Sequence, residues 1–270
     1  MMWLILAISV AVVVLWLLVR WKKGSTRRRL LRQPFPQPWK EILRHTVPLY
    51  RILPEPLQKE LEGHMLVFLH EKNFEGAGGL RMTDEVRVTI SAYACLLLLN
   101  RRSQYYPHLY SIIVYPGAYV TKTVEHEGDL EYIDQEPLQG EAWEHGAVVF
   151  SWNDILHGRS QDGSNVGIHE FAHQLDFEDG AADGVPILEK SDQYVHWKQV
   201  MSSEFEASRK RTARGTRSVL DSYGATDPSE FFAVATEAFF ERPIALRKKY
   251  PALYAELQQH YHLDPAAWYD

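Results

Sequence analysis

Two histidines stand four residues apart with a glutamate beside the first, His169-Glu170-Phe171-Ala172-His173, inside the stretch Val166 to Glu178, VGIHEFAHQLDFE. No other feature restricts the fold as much. Residues four apart share one face of a helix, so both imidazoles can reach a single ion if this stretch is helical. Ile168, Phe171, Ala172 and Leu175 recur at helical spacing, which makes the stretch a buried amphipathic helix. Two core histidines with a glutamate between them would leave three polar groups needing partners in the interior. A metal supplies that partner. Zn²⁺ accepts neutral imidazole nitrogen, and a catalytic site holds it with three protein ligands and one open position for water. Glu170 falls where a carboxylate takes a proton from that water.

The third ligand is less determined. Asp179 lies six residues past His173, at the end of a spacer that wants glycine in its middle, where this chain has Asp176. Asp176 itself suits an acceptor that orients a ligating histidine, or simply a helix end. A second helix offers more. Asp227 is a strong N-cap, Pro228 fits the first helical position, and Glu230 falls where it would close a capping box with Asp227. Glu237, two turns on, faces the same way. By spacing alone Glu230 and Glu237 compete equally, with Asp179 behind them.

The N-terminus has its own character. Met1 to Val19 is apolar except for Ser9, and about 19 residues at 1.5 Å each span roughly 28 Å, close to the ~30 Å hydrocarbon core of a bilayer. A signal peptide would bring a basic start and a small-residue cleavage site, and neither is present. Residues 1–20 therefore read as a transmembrane anchor. Arg20, Lys22, Lys23, Arg27, Arg28, Arg29 and Arg32 follow it with no acid between 20 and 32. The positive-inside rule then predicts a single-pass protein of the inner (cytoplasmic) membrane, with the catalytic domain on the cytoplasmic side. The net charge of −6 gives no reason to expect direct nucleic-acid binding. The lone Cys95, in a leucine run, excludes an intrachain disulfide.

Residues 21–38, basic and then proline-rich, read as a linker, leaving 39–270 as one folded domain. Helices are expected within 39–73, and Gly76, Gly78 and Gly79 mark a turn. A further helix is expected over Thr83 to Asn100. Ser111 to Val120 reads as one interrupted or two short strands, Glu131 to Ile133 as a weaker strand, and Ala147 to Trp152 as a stronger one. Helices follow over 192–207, 228–241 and 244–260, with the basic Ser208 to Arg217 as a surface loop. The fold class is α+β, mostly helical, with a small sheet on the active-site helix whose edge strand is able to pair with extended peptide.

From about Trp39 to Tyr261 the chain resembles the MtfA family of zinc metallopeptidases (Mlc titration factor A-like, peptidase family M90). HEFAHQLD at 169–176, YGATDPSEFFAV at 223–234, VVFSW at 148–152 and MTDEVRVTISAYACLLLLN at 82–100 carry the resemblance. The pattern of Tyr223 with Glu230-Phe231-Phe232 is also similar to the catalytic domain of anthrax lethal factor, a zincin with a glutamate third ligand. The resemblance implies a zincin-like domain binding Zn²⁺ through His169, His173 and Glu230. It implies Glu170 as the catalytic base and Tyr223 as the tyrosine that assists in the transition state. It further implies peptide or protein substrates, aminopeptidase-like action on small peptides or protein N-termini, and a transcriptional repressor (Mlc-like) as a partner. A regulatory protein that sequesters a repressor, its metal site structural or vestigial, is the alternative. Residues 1–38 lie outside the resemblance.

Overall fold

Prolines set the helix starts through the first part of the chain. The computed structural model describes residues 2–101, 104–117, 119–120, 123–127, 130–134, 137–138, 140–143 and 146–269. Helix α1 (Met2–Leu30) stops ahead of Pro34 and Pro36, while α2 (Gln37–Thr46), α3 (Pro48–Ile52) and α4 (Glu55–Glu71) each carry proline in the first turn. There its missing N–H breaks no helical hydrogen bond. Strand β1 (Asn73–Gly76) leads to α5 (Asp84–Leu96), capped by Thr83 accepting from the Val86 N–H at 3.4 Å.

The strands follow as β2 (Ser111–Tyr115), β3 (Tyr119–Val120), β4 (Thr123–Glu127), β5 (Leu130–Asp134), β6 (Pro137–Leu138), β7 (Gly140–Trp143) and β8 (Ala147–Ser151). The main sheet has the order β1-β2-β8-β7, with β1, β2 and β8 parallel and β7 antiparallel on the edge. The pairs β3–β6 and β4–β5 are separate and antiparallel. In the central pair Ile112 is opposite Val148 and Val114 opposite Phe150, and all four are buried. Helices α6 (Trp152–His157), α7 (Val166–Asp176), α8 (Gln193–Ala213), α9 (Pro228–Glu241), α10 (Pro243–Lys249) and α11 (Pro251–Tyr261) follow, interspersed with short 3₁₀ turns.

Helix α7 carries the histidine pair and lies against α5, α9 and the edge strand β7. Phe171, on its core side, meets the rings of Phe68, Tyr106 and Phe150 at 5.8, 5.3 and 5.7 Å between centroids. Burying such a side chain contributes about 1.5–3 kcal/mol, enough to hold the helix face in register. Gly167 lets α7 approach α5, because a Cβ there would sit 2.7 Å from the Tyr93 ring.

Several elements depart from the expectation. The transmembrane helix expected over residues 1–20 is not supported: among the described residues no helix is long and apolar enough to cross a membrane. The apolar side chains Val12 to Val19 are exposed, and they belong to a helix that continues through the basic turns to Leu30. Residues 21–30 are thus helical. Arg27 clamps Glu71 of α4 with two hydrogen bonds, at 2.6 and 2.8 Å, while Leu31 packs over Gly63 and Leu30 is buried. β1 and β7 were not expected. Their four-residue sequences NFEG and GEAW are too short to show a pattern, and β1 pairs with β2, far along the chain. The basic stretch after Ser208 extends α8 to Ala213, and Pro251 divides the final helix in two. Of the expected 111–120 segment, Ala118 lies outside the described residues, as does Met1 of the N-terminal span.

Candidate metal centre

Asn165 starts α7. Its side-chain oxygen accepts from the Ile168 N–H at 3.1 Å, which fixes the helix so that His169 and His173 fall on the face toward α9. Asp227 starts α9 by accepting from the Ser229 and Glu230 N–H groups at 2.9 and 3.0 Å. That cap is one-way: the Glu230 carboxylate turns toward the histidines and Tyr223. The Tyr223 hydroxyl, on the 3₁₀ turn Ser222–Ala225, donates to Glu230 Oε1 at 3.3 Å.

Three atoms meet between the helices. His169 Nε2 lies 3.1 Å from His173 Nε2 and 3.0 Å from Glu230 Oε2, and His173 Nε2 lies 3.4 Å from that same oxygen. The outer ring nitrogens are committed elsewhere. His169 Nδ1 donates to Glu237 Oε1 at 2.8 Å, since a carboxylate only accepts. Ser229 Oγ donates its single proton to Asp176 Oδ2 at 2.8 Å, so it accepts from His173 Nδ1 at 3.0 Å. His173 therefore turns a bare Nε2 inward. Glu230 Oε2 is buried and faces no polar group other than the two imidazole nitrogens. Two lone pairs and one imidazole nitrogen thus face a common centre, which a divalent cation satisfies at once. Bonds of 2.0–2.1 Å in a tetrahedron give ligand separations of about 3.3–3.4 Å, and the observed edges of 3.0–3.4 Å fit.

Charge at the centre is balanced by protons when no ion is bound. Burial disfavours the charged form of His169, but Glu230 and Glu237 outweigh it and raise its pKa to about 10. Burial would raise Glu230 as well, and the two imidazoles reverse this, taking it down to about 2. At neutral pH the metal-free centre therefore keeps a proton on His169 Nε2 opposite an ionised Glu230. A divalent ion must displace that proton, so its affinity increases with pH, about tenfold per unit below the His169 pKa. Titration calorimetry at pH 7 in buffers of different protonation enthalpy should show release of about one proton per ion. Uptake with no release would contradict this charge state. Glu170 is buried, and burial raises its carboxyl pKa.

The glucose-regulated metallo-peptidase M90 family model matches residues 20–262. The chain belongs to that family. A Synechocystis protein is 38% identical over 242 residues, covering 88% of each chain. The Mlc titration factor A proteins of Yersinia pestis and Yersinia pseudotuberculosis are 28% identical over 251 residues, 92% of this chain and 90% of theirs. M90 membership makes the chain a metal-dependent peptidase, and the three converging side chains can hold the metal. The match starts at residue 20 rather than near Trp39, in keeping with the docked end of α1.

The structure brings His169, His173 and Glu230 together, with Glu170 and Tyr223 adjoining them. It does not bring in the rival carboxylates. Glu237 stands behind His169, bonded to the far side of the ring. Asp179 accepts from the Ala181 N–H at 3.0 Å and takes no part in the cluster. Asp176 reaches His173 only through Ser229. Ser229 and Asn165 were not singled out from the sequence. Ser229, adjacent to Glu230 and following an N-cap, offered the one available signal.

Proposed function

We propose that this M90 member is a zinc-dependent peptidase with aminopeptidase-like action on small peptides or protein N-termini. The observation that carries the reading is the convergence of His169 Nε2, His173 Nε2 and Glu230 Oε2 at tetrahedral spacing beside the buried Glu170. Zinc held by these residues supplies Lewis acidity toward the peptide carbonyl and lowers the pKa of a water. Glu170 takes the proton of the attacking water and returns it to the leaving amine. Its raised carboxyl pKa suits both halves of that task. Burial and Glu230 raise Tyr223 to about 12, so the phenol keeps its proton and donates it in a hydrogen bond to the developing oxyanion. At 55% exposure its ring is open to an incoming substrate. The edge strand β7, packed on α7, offers a backbone ladder to extended peptide. The aminopeptidase preference takes its support from the family resemblance.

The test compares a peptide with a free N-terminus and its N-acetylated form. Hydrolysis of the free peptide should stop on chelation and return with zinc, and the acetylated peptide should be a poor substrate. Hydrolysis indifferent to chelation would overturn the metallopeptidase mechanism, and equal cleavage of both peptides would overturn the preference. A second reading, sequestration of an Mlc-like transcriptional repressor, takes its support from the name of the Yersinia relatives.

A further inference from the structure

Helix α9 supplies more to the centre than Glu230. Ser229 and Glu237 come from the same helix, one residue before and seven after it, and each meets the outer nitrogen of a different histidine. We infer that Glu237 and the Ser229–Asp176 pair are positioning residues that aim His169 and His173 at the metal. The inference rests on the metallopeptidase reading above.

Glu237 is buried and holds two donors. Oε1 accepts from His169 Nδ1 at 2.8 Å, and Oε2 accepts from the Asn165 N–H at 2.5 Å. Asn165 is the N-cap of α7. One carboxylate therefore fixes the ring orientation of His169 and the start of the helix that carries it. An ionised group in the interior is costly unless fully hydrogen-bonded, and here both oxygens are used.

His173 is held through a hydroxyl. Ser229 Oγ accepts from its Nδ1 and donates to Asp176 Oδ2, which also accepts from the Gly184 N–H at 2.9 Å. The Gly184 segment lies directly on the first turn of α9: at φ +78° a Cβ there would stand 2.4 Å from the Pro228 carbonyl oxygen. Trp197 of α8 donates to the Gly184 carbonyl at 3.0 Å. The orientation of His173 is thus tied through Asp176 to a loop braced by α8 and α9. Both arrangements engage the Nδ1 proton in a hydrogen bond and aim Nε2 at the centre, the orientation of a ligating imidazole.

The experiment measures Zn²⁺ affinity of the full chain by competition with a chromophoric chelator, alongside thermal unfolding in zinc-free buffer. Ser229→Ala and Glu237→Ala should each weaken zinc binding by roughly 10–100-fold, and Ser229→Thr, which keeps the hydroxyl, should restore it. Should Glu237→Ala fail to fold, Glu237→Gln keeps the shape, cannot accept from both donors, and should still bind zinc more weakly than wild type. A lower melting temperature with unchanged affinity in Ser229→Ala and the folded Glu237 variant would make these residues merely structural and overturn the inference. A wild type that binds no zinc would instead overturn the reading beneath it.

Discussion

Glu170→Gln should lower kcat for peptide hydrolysis by roughly 10²–10⁴-fold, the span that a positioned general acid–base supplies, while leaving the bound metal in place. That loss corresponds to about 3–5 kcal/mol of barrier. Metal is retained because the carboxylate of Glu170 is not among the three converging atoms. The fold is retained because glutamine has nearly the same shape and no charge. The sign of the stability change follows from the buried carboxyl. Its pKa is raised in the folded chain, so ionisation above the unfolded value costs stability at neutral pH, and the amide removes that cost. Metal analysis, a peptide assay and a melting curve on one preparation check all three parts. A variant retaining near wild-type kcat would remove Glu170 from the proton path. Should the wild type itself hydrolyse nothing yet bind a repressor, the sequestration reading takes precedence.

The helix that carries Glu170 was legible because two signals agreed there. The histidine spacing demanded a helix, and the apolar positions around Phe171 supplied its buried face. The start of α9 was legible for a similar reason: Asp227-Pro228 is a cap followed by a residue suited to the first turn, and the cap forms as expected. What spacing could not decide was which carboxylate of α9 meets the metal. Glu230 and Glu237 lie on one face, about 10 Å apart along the axis, and the choice depends on how far α9 slides along α7. That offset is set by tertiary contacts such as Asn165 to Glu237 and Gly184 against Pro228. Non-local pairing with β2 also hid β1, while β7, paired locally with β8, was too short to show a pattern. Charge misled at Ser208 to Ala213, where Lys210 and Arg211 suit a helix C-terminus electrostatically as well as a loop. At the N-terminus the apolar run and the basic turns belong to one helix, whose end docks on Glu71 through Arg27, a long-range contact that hydropathy does not carry.

Glu230→Ala should strip the metal and abolish hydrolysis without unfolding the chain. Alanine at this position keeps the helix: Asp227 still accepts from the backbone N–H groups of positions 229 and 230, and alanine has the most favourable helix propensity. What disappears is the carboxylate oxygen of the converging set, leaving two imidazoles where a catalytic zinc site has three protein ligands. Tyr223 also loses the acceptor for its hydroxyl. In the metal-free variant His169 no longer faces Glu230, so its pKa falls from about 10, which NMR titration of the imidazole detects. Glu237→Ala is the discriminating comparison. Removing the outer partner of His169 leaves all three ligand atoms in place, so at saturating zinc it should still load about one ion, bound roughly 10–100-fold more weakly. The reverse pattern, with metal lost in Glu237→Ala and kept in Glu230→Ala, would mean that α9 sits about two turns further along α7 in the loaded protein. The opposed positions of Glu230 and Glu237 on the two sides of the His169 ring make these two carboxylates inequivalent, and metal content measures that inequivalence directly.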